Sequence, residues 1–154
     1  MARTKRDHGQ YALDEGLVET REPGFDRPVF RRPGFNGTLP FGRVEKTLSM
    51  QTRKNREMRG LTREQLASML GLSTQVFRRY EVAASKLHVT RLVHLCEILD
   101  VSPVAIIAQA APHLFGETAE EARMRAEALS AIEELPENLL SLLLPLLREM
   151  RARK

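Results

Sequence analysis

The sequence predicts an all-α fold: a five-helix domain over residues 44–112, an arm rich in proline, glycine and arginine before it (1–43), and a helical hairpin after it (113–154). Three observations carry this. Apolar residues from the middle of the chain onward recur at steps of three and four, the period of a helix with one buried face. Serine and threonine stand where helices would begin, and at Thr62–Gln65 and Thr118–Glu121 they have the spacing of a capping box. Four of the eight prolines, Pro23, Pro28, Pro33 and Pro40, crowd the arm, and proline is excluded from helix interiors and central strands.

The arm is expected to be largely irregular. Pro23-Gly24-Phe25 recurs as Pro33-Gly34-Phe35. Phe25, Phe30, Phe35 and Phe41 are more aromatic surface than a solvated tail needs, so part of Val29–Phe41 is expected to be ordered. Tyr11–Glu19 offers a short helix. Arg27, Arg31 and Arg32 are cations suited to a minor groove or to phosphates.

Residues 44–58 read as the first helix, with Val44 and Leu48 on one face and Met58 near its end. Lys46, Arg53, Lys54 and Arg56 line the other faces, and Gly60 stops it. Thr62 caps a second helix, 62–70, whose apolar side is Leu66, Ala67 and Leu70. Gly71 tolerates the left-handed turn that follows, and Leu72 plugs the corner. Ser73 caps a third helix, 74–81, with Val76, Phe77 and Tyr80 behind it. The remaining face of that helix holds Thr74, Gln75, Arg78 and Arg79. Hydrogen-bonding and cationic groups on a helix anchored from behind are what a DNA-reading helix-turn-helix requires. Val82–His88 is a loop. Residues 89–99 form a fourth helix with Leu92, Leu95, Cys96 and Leu99 on one buried stripe, which makes Cys96 a core residue rather than a redox sensor. Ser102-Pro103 opens the fifth, closed by Val104, Ile106 and Ile107, and Pro112 marks the domain's end.

Residues 117–134 and 137–151 are the two helices of the C-terminal hairpin. The last has seven leucines between Leu139 and Leu147, so it is expected to be covered on more than one side. Pro145 predicts a kink or short break. Leu139, Leu140, Leu143, Leu146 and Leu147 are the expected dimer contacts.

Leu61–Glu81, with Leu95–Pro103 after it, resembles the lambda repressor/Cro-type helix-turn-helix family, also called XRE. Ala67, Gly71 and the Tyr80-Glu81 ending fall where that family places a small residue, a turn glycine and an apolar-Glu pair. The sequence departs from the family at Val82-Ala83, where Asn-Gly or Arg-Gly is common, and in the polar Thr52 and Asn55 of the first helix. The resemblance implies that Thr62 and Arg63 hold the DNA backbone, joined by Lys86 in the loop. Ser73 and Arg53 or Arg56 are further candidates for phosphate. Arginine suits guanine and glutamine suits adenine in the major groove, which makes Thr74, Gln75, Arg78 and Arg79 the candidate base contacts. Glu81 is expected to be structural, because an anion facing phosphate would repel it.

The expected function is therefore a lambda repressor-like transcription regulator acting as a homodimer on an inverted-repeat operator in double-stranded DNA. The alternative is an antitoxin-like or other protein-interaction module that holds a partner, such as RNA polymerase or another regulator, through its arm. Charge agrees with a nucleic-acid partner: the net charge is +4, and residues 44–112 hold ten Lys/Arg against six Asp/Glu. Residues 113–154 hold six against eight. One cysteine and four scattered histidines give no metal spacing, and no catalytic or phosphate-cradling motif is present, so neither an enzyme nor a cofactor is expected. No N-terminal apolar run suits a signal peptide, and Leu139–Leu147 is too short to span a bilayer. The expected location is cytoplasmic and nucleoid-associated.

Overall fold

The computed structural model describes residues 7–153. In chain order the elements are α1 (His8–Asp14), β1 (Val18–Thr20), β2 (Val29–Arg31), α2 (Phe41–Met58), α3 (Arg63–Met69), α4 (Thr74–Glu81), α5 (Val89–Leu99), α6 (Pro103–Ala110), a 3-10 turn (Pro112–Leu114), α7 (Ala119–Glu133) and α8 (Glu137–Ala152). The protein is mostly helical. Local chemistry sets the helix starts. Thr62 and Gln65 form a reciprocal capping box on α3, and Ser73, Ser102 and Thr118 each accept a backbone N–H in the first turn of α4, α6 and α7.

The core is built from Leu66, Ala67, Leu70, Phe77, Leu95 and Leu99. These come from α3, α4 and α5, and α2 crosses against α4, α5 and α6. Two cross-links lock the layers. Arg91 donates to the Leu70 carbonyl at 2.7 Å, tying α5 to the end of α3. Arg59 donates to the carbonyls of Leu99 and Asp100 at 2.7 and 2.8 Å, satisfying the end of α5 from α2. Cys96 is buried, and burial followed by the nearby Glu97 charge pushes its thiol above the ordinary range. Gly71 has φ +67°, the left-handed turn between α3 and α4. Gly116 is required for a different reason: a side chain there would meet the Ala122 backbone nitrogen at 2.6 Å, so only glycine lets the chain enter α7 this closely.

The arm is more ordered than its proline content suggests, and the two strands amend the all-helix expectation locally. β1 and β2 pair antiparallel, Val18 with Arg31, Glu19 with Phe30 and Thr20 with Val29. The prolines sit outside the strands, where no ladder N–H is needed. The arm's short helix begins at His8, upstream of the expected Tyr11–Glu19. The hairpin is held by a buried ion pair. Glu22, with a side chain 3% exposed, accepts from Arg31 at 2.5 Å and from the Phe41 backbone N–H at 3.1 Å. Arg31 also donates to the Leu39 carbonyl at 2.8 Å and lies 3.6 Å over the Phe41 ring. This tie caps the start of α2, which therefore begins at Phe41 rather than at Val44.

Glu22→Ala should release the arm without melting the core. A hydrogen bond to a charged group contributes about 1.5–3 kcal/mol, so amide exchange between residues 18 and 41 should accelerate by about tenfold or more. Unchanged exchange there would show that the tie does not hold the hairpin.

In the C-terminal hairpin α7 packs on α6 and the 3-10 turn. α8 runs from Glu137 to Ala152 with Pro145 inside it, so of the expected kink or short break the break does not occur, and it buries no residue fully.

Candidate nucleic-acid interface

α4 is pinned from behind. Phe77 is fully buried and Tyr80 is half-buried against the core. Thr74, Gln75, Arg78 and Arg79 are exposed on the same helix. Among the described residues their side chains make no hydrogen bond or ion pair. A helix that offers four unsatisfied polar or cationic side chains from a rigid mount is equipped to meet base edges and phosphates.

The C-terminal end of α4 is fixed by an ion triad. Glu81 is 1% exposed and receives Arg56 Nε on one oxygen and Arg63 Nε on the other, both at 2.6 Å. Arg56 further donates to the Leu61 carbonyl at 2.8 Å. The triad joins α2, the start of α3 and the end of α4, so it fixes the angle between the two helices of the motif. Glu81 thus has an interior, structural place. Arg56, 8% exposed, is an interior residue and not a free phosphate ligand. Arg63, expected on the DNA backbone, has its Nε committed to Glu81 while its side chain stays 36% exposed.

The other backbone candidates divide. Thr62 and Ser73 are exposed at the starts of α3 and α4, with their hydroxyls accepting from the backbone of Gln65 and Val76. Arg53 is exposed and pairs with Glu57 at 2.8 Å, an interaction that raises the guanidinium pKa and lowers the carboxyl pKa. Lys86 is exposed, with its ammonium 5.2 Å from the Phe25 ring centre. Phe25 stacks in turn on Phe41 at 5.6 Å. The arm's first Pro-Gly-Phe turn therefore lies against the loop that follows α4. Composition hinted at docked phenylalanines, but not at this partner, which is 61 residues away in sequence.

Of the arm cations, Arg31 is inside and Arg32 lies 3.7 Å from Glu15. Arg27 is exposed, and no ion pair engages it among the described residues. The leucines expected at a dimer contact are on α8: Leu139, Leu146 and Leu147 are exposed, and Leu140 and Leu143 are half-buried. Among the described residues no group of His, Cys, Asp and Glu could hold a metal ion, and no helix is long and apolar enough to cross a membrane.

Comparison with known families matches residues 53–106 to the model described as "Helix-turn-helix". Neither a curated protein nor a solved structure matches the chain. The matched span contains the ion triad, both helices of the motif and the core residues that hold them. Over residues 53–106 the chain is thus similar to the helix-turn-helix family of the XRE, or lambda repressor, type.

Proposed function

We propose that the protein is a sequence-specific transcription regulator that places α4 in the major groove and binds an inverted-repeat operator as a homodimer. The observation that carries this reading is α4 itself: Thr74, Gln75, Arg78 and Arg79 are exposed and unengaged on a helix anchored by the fully buried Phe77. Arg78 and Gln75 read guanine and adenine, Thr74 supports them, and Arg79 takes a base or a phosphate. Thr62, Ser73 and Lys86 meet the backbone with Arg53 and the free N–H groups of Arg63. Each of the two arginines must exchange or share its carboxylate partner to do so. One α4 reads only a few base pairs, and two related by a two-fold axis read half-sites about one DNA turn apart.

Arg78→Ala tests the reading. A bidentate arginine–guanine contact is worth about 1–3 kcal/mol of discrimination, so affinity for the operator should fall by about 5- to 150-fold with the melting temperature unchanged. The operator itself is found by selection from random duplexes. Retained affinity would remove Arg78 from the interface. The same titration repeated at several salt concentrations sorts Arg79: a lost phosphate contact lowers the salt slope by roughly 0.9, whereas a lost base contact leaves it unchanged.

One observation favours a second, compatible role for the arm. Tyr11, Leu13, Val18 and Phe30 are all exposed on α1 and the hairpin, a surface suited to a protein partner such as RNA polymerase, another regulator or, in the antitoxin-like reading, a toxin.

A further inference from the structure

A groove of about 740 Å³ runs between α2, α5, α6 and the end of α7. α2 meets both α5 and α6, and α6 meets α7. The groove therefore lies where the helix-turn-helix domain joins the C-terminal hairpin. Ser102 Oγ, on its lining, donates to Glu133 at 2.8 Å and fixes the end of α7 against the start of α6. Met58, Cys96, Val101 and Ile106 give it apolar surface.

Gln51 is the residue that packing leaves unexplained. It is 7% exposed on α2, yet its side chain has no hydrogen-bond partner among the described residues. No fully enclosed side-chain nitrogen or oxygen there lacks a partner, so the Gln51 amide is reached through the groove that it lines. A buried amide without a partner costs free energy unless something satisfies it. Asn55, one turn further along α2 and half-buried, lines the same groove and also has no side-chain partner among the described residues. Both amides offer a carbonyl oxygen to a donor.

The other lining residues select the sign of charge. Glu97, Asp100, Glu133 and Glu134 stand there against Lys54 as the one cation. Asp100 lies 3.3 Å from Arg59, and Glu133 accepts from Ser102. Glu97 and Glu134 have no ion-pair partner among the described residues, and they come from different walls, α5 and the end of α7. An ammonium group satisfies both demands at once. It donates to amide carbonyls and it neutralises carboxylates, while an aliphatic body covers the apolar surface.

We infer that this groove is a binding site for a small aliphatic amine, held by Gln51 and Asn55 through its N–H groups and by Glu97 and Glu134 through its charge. A ligand there touches the helix-turn-helix domain and the C-terminal hairpin together, which is where a chemical signal can act on both. The site stands whether or not α4 reads DNA.

The full-length chain is titrated with hexamethylenediamine and pentylamine, and with pentanoate as the anionic control. Calorimetry gives the affinity and amide NMR spectra give the location. The expected result is saturable binding of an amine, with shifts gathered at residues 51–58, 96–102 and 130–134, and pentanoate weaker by about tenfold or more. Gln51→Met keeps the bulk and removes the amide. It should weaken the amine by about tenfold, as for a lost hydrogen bond to a charged group, and leave the melting temperature unchanged or higher. Glu97→Gln with Glu134→Gln changes only exposed positions, so folding is spared, and affinity should fall by about threefold or more. No saturable binding of either amine up to roughly 10 mM, or pentanoate binding as tightly, overturns the site. Binding that neither Gln51→Met nor the double variant weakens is diffuse counter-ion attraction and overturns it too. A Gln51→Met protein that melts clearly lower and binds amine like the wild type makes Gln51 a packing residue, with the same consequence.

Discussion

Glu81→Ala is expected to cost about 3–5 kcal/mol of stability, the range for breaking a buried ion pair by removing one partner. The carboxylate is 1% exposed and both of its oxygens are used, by Arg56 on one side and Arg63 on the other. Removing it leaves the Arg56 guanidinium, 8% exposed, without its buried counter-ion. Arg56 then keeps only the exposed Glu57, at 3.2 Å, as an anionic partner, so much of the penalty is the desolvation of a poorly compensated ion rather than the loss of one hydrogen bond. A domain's total stability is about 5–15 kcal/mol, so the change takes a large share of it. A loss of 1 kcal/mol lowers the melting temperature of a chain this size by about 2–4 °C, which sets the expected drop near 10 °C in thermal unfolding followed by circular dichroism. Arg63→Ala should cost less, because its side chain is 36% exposed and Glu81 keeps Arg56. Arg53→Ala should change the melting temperature little, since its pair with Glu57 is exposed and screened. If Glu81→Ala falls no further than Arg53→Ala, the triad does not hold α4 in place.

The same triad shows where sequence reading works and where it stops. Thr62 with Gln65, Ser73, Ser102-Pro103 and Thr118 are recognisable because a helix cap satisfies backbone groups within three residues of itself. The core side of α3, α4 and α5 is visible for a related reason: periodicity reports which face a helix buries. The engagement of an individual charge is a different matter. Arg56 and Arg63 reach Glu81 across 25 and 18 residues, and no local pattern distinguishes them from Arg53 or Arg78. What could be inferred was one-sided: an anion beside a phosphate-facing helix should be turned inward, and its cations follow from that only once the helices are placed. The arm was expected to be ordered in part, but the pairings that order it escaped for the same reason. Its order depends on Glu22 and Arg31, which the hairpin brings together, and on Phe25 meeting Lys86. Composition reports the prolines and is silent about those pairings.

Phe77→Ala is expected to be as costly as the loss of Glu81, by a different route. Phe77 is fully buried among Leu66, Leu70, Leu95 and Leu99, and it is the largest side chain that α4 contributes to the core. Truncating a buried phenylalanine costs about 3–5 kcal/mol, part of it transfer free energy and part the cavity left behind. In urea the midpoint should move down with the slope unchanged, since the folded state keeps its extent and only its stability falls. Phe77→Leu fills most of the cavity and should cost clearly less. These two variants also bear on DNA reading, because Phe77 is buried in the core while Gln75 and Arg78 of the same helix are exposed. Well below its unfolding transition, Phe77→Leu should bind operator with nearly wild-type affinity, while Arg78→Ala should lose affinity without losing stability. A Phe77→Leu protein that is fully folded and yet loses binding by more than tenfold would mean that the rear packing of α4 sets the angle of the recognition face as well as its stability. The helix would then act as a lever whose pitch the core determines, rather than as a rigid mount with an independent surface.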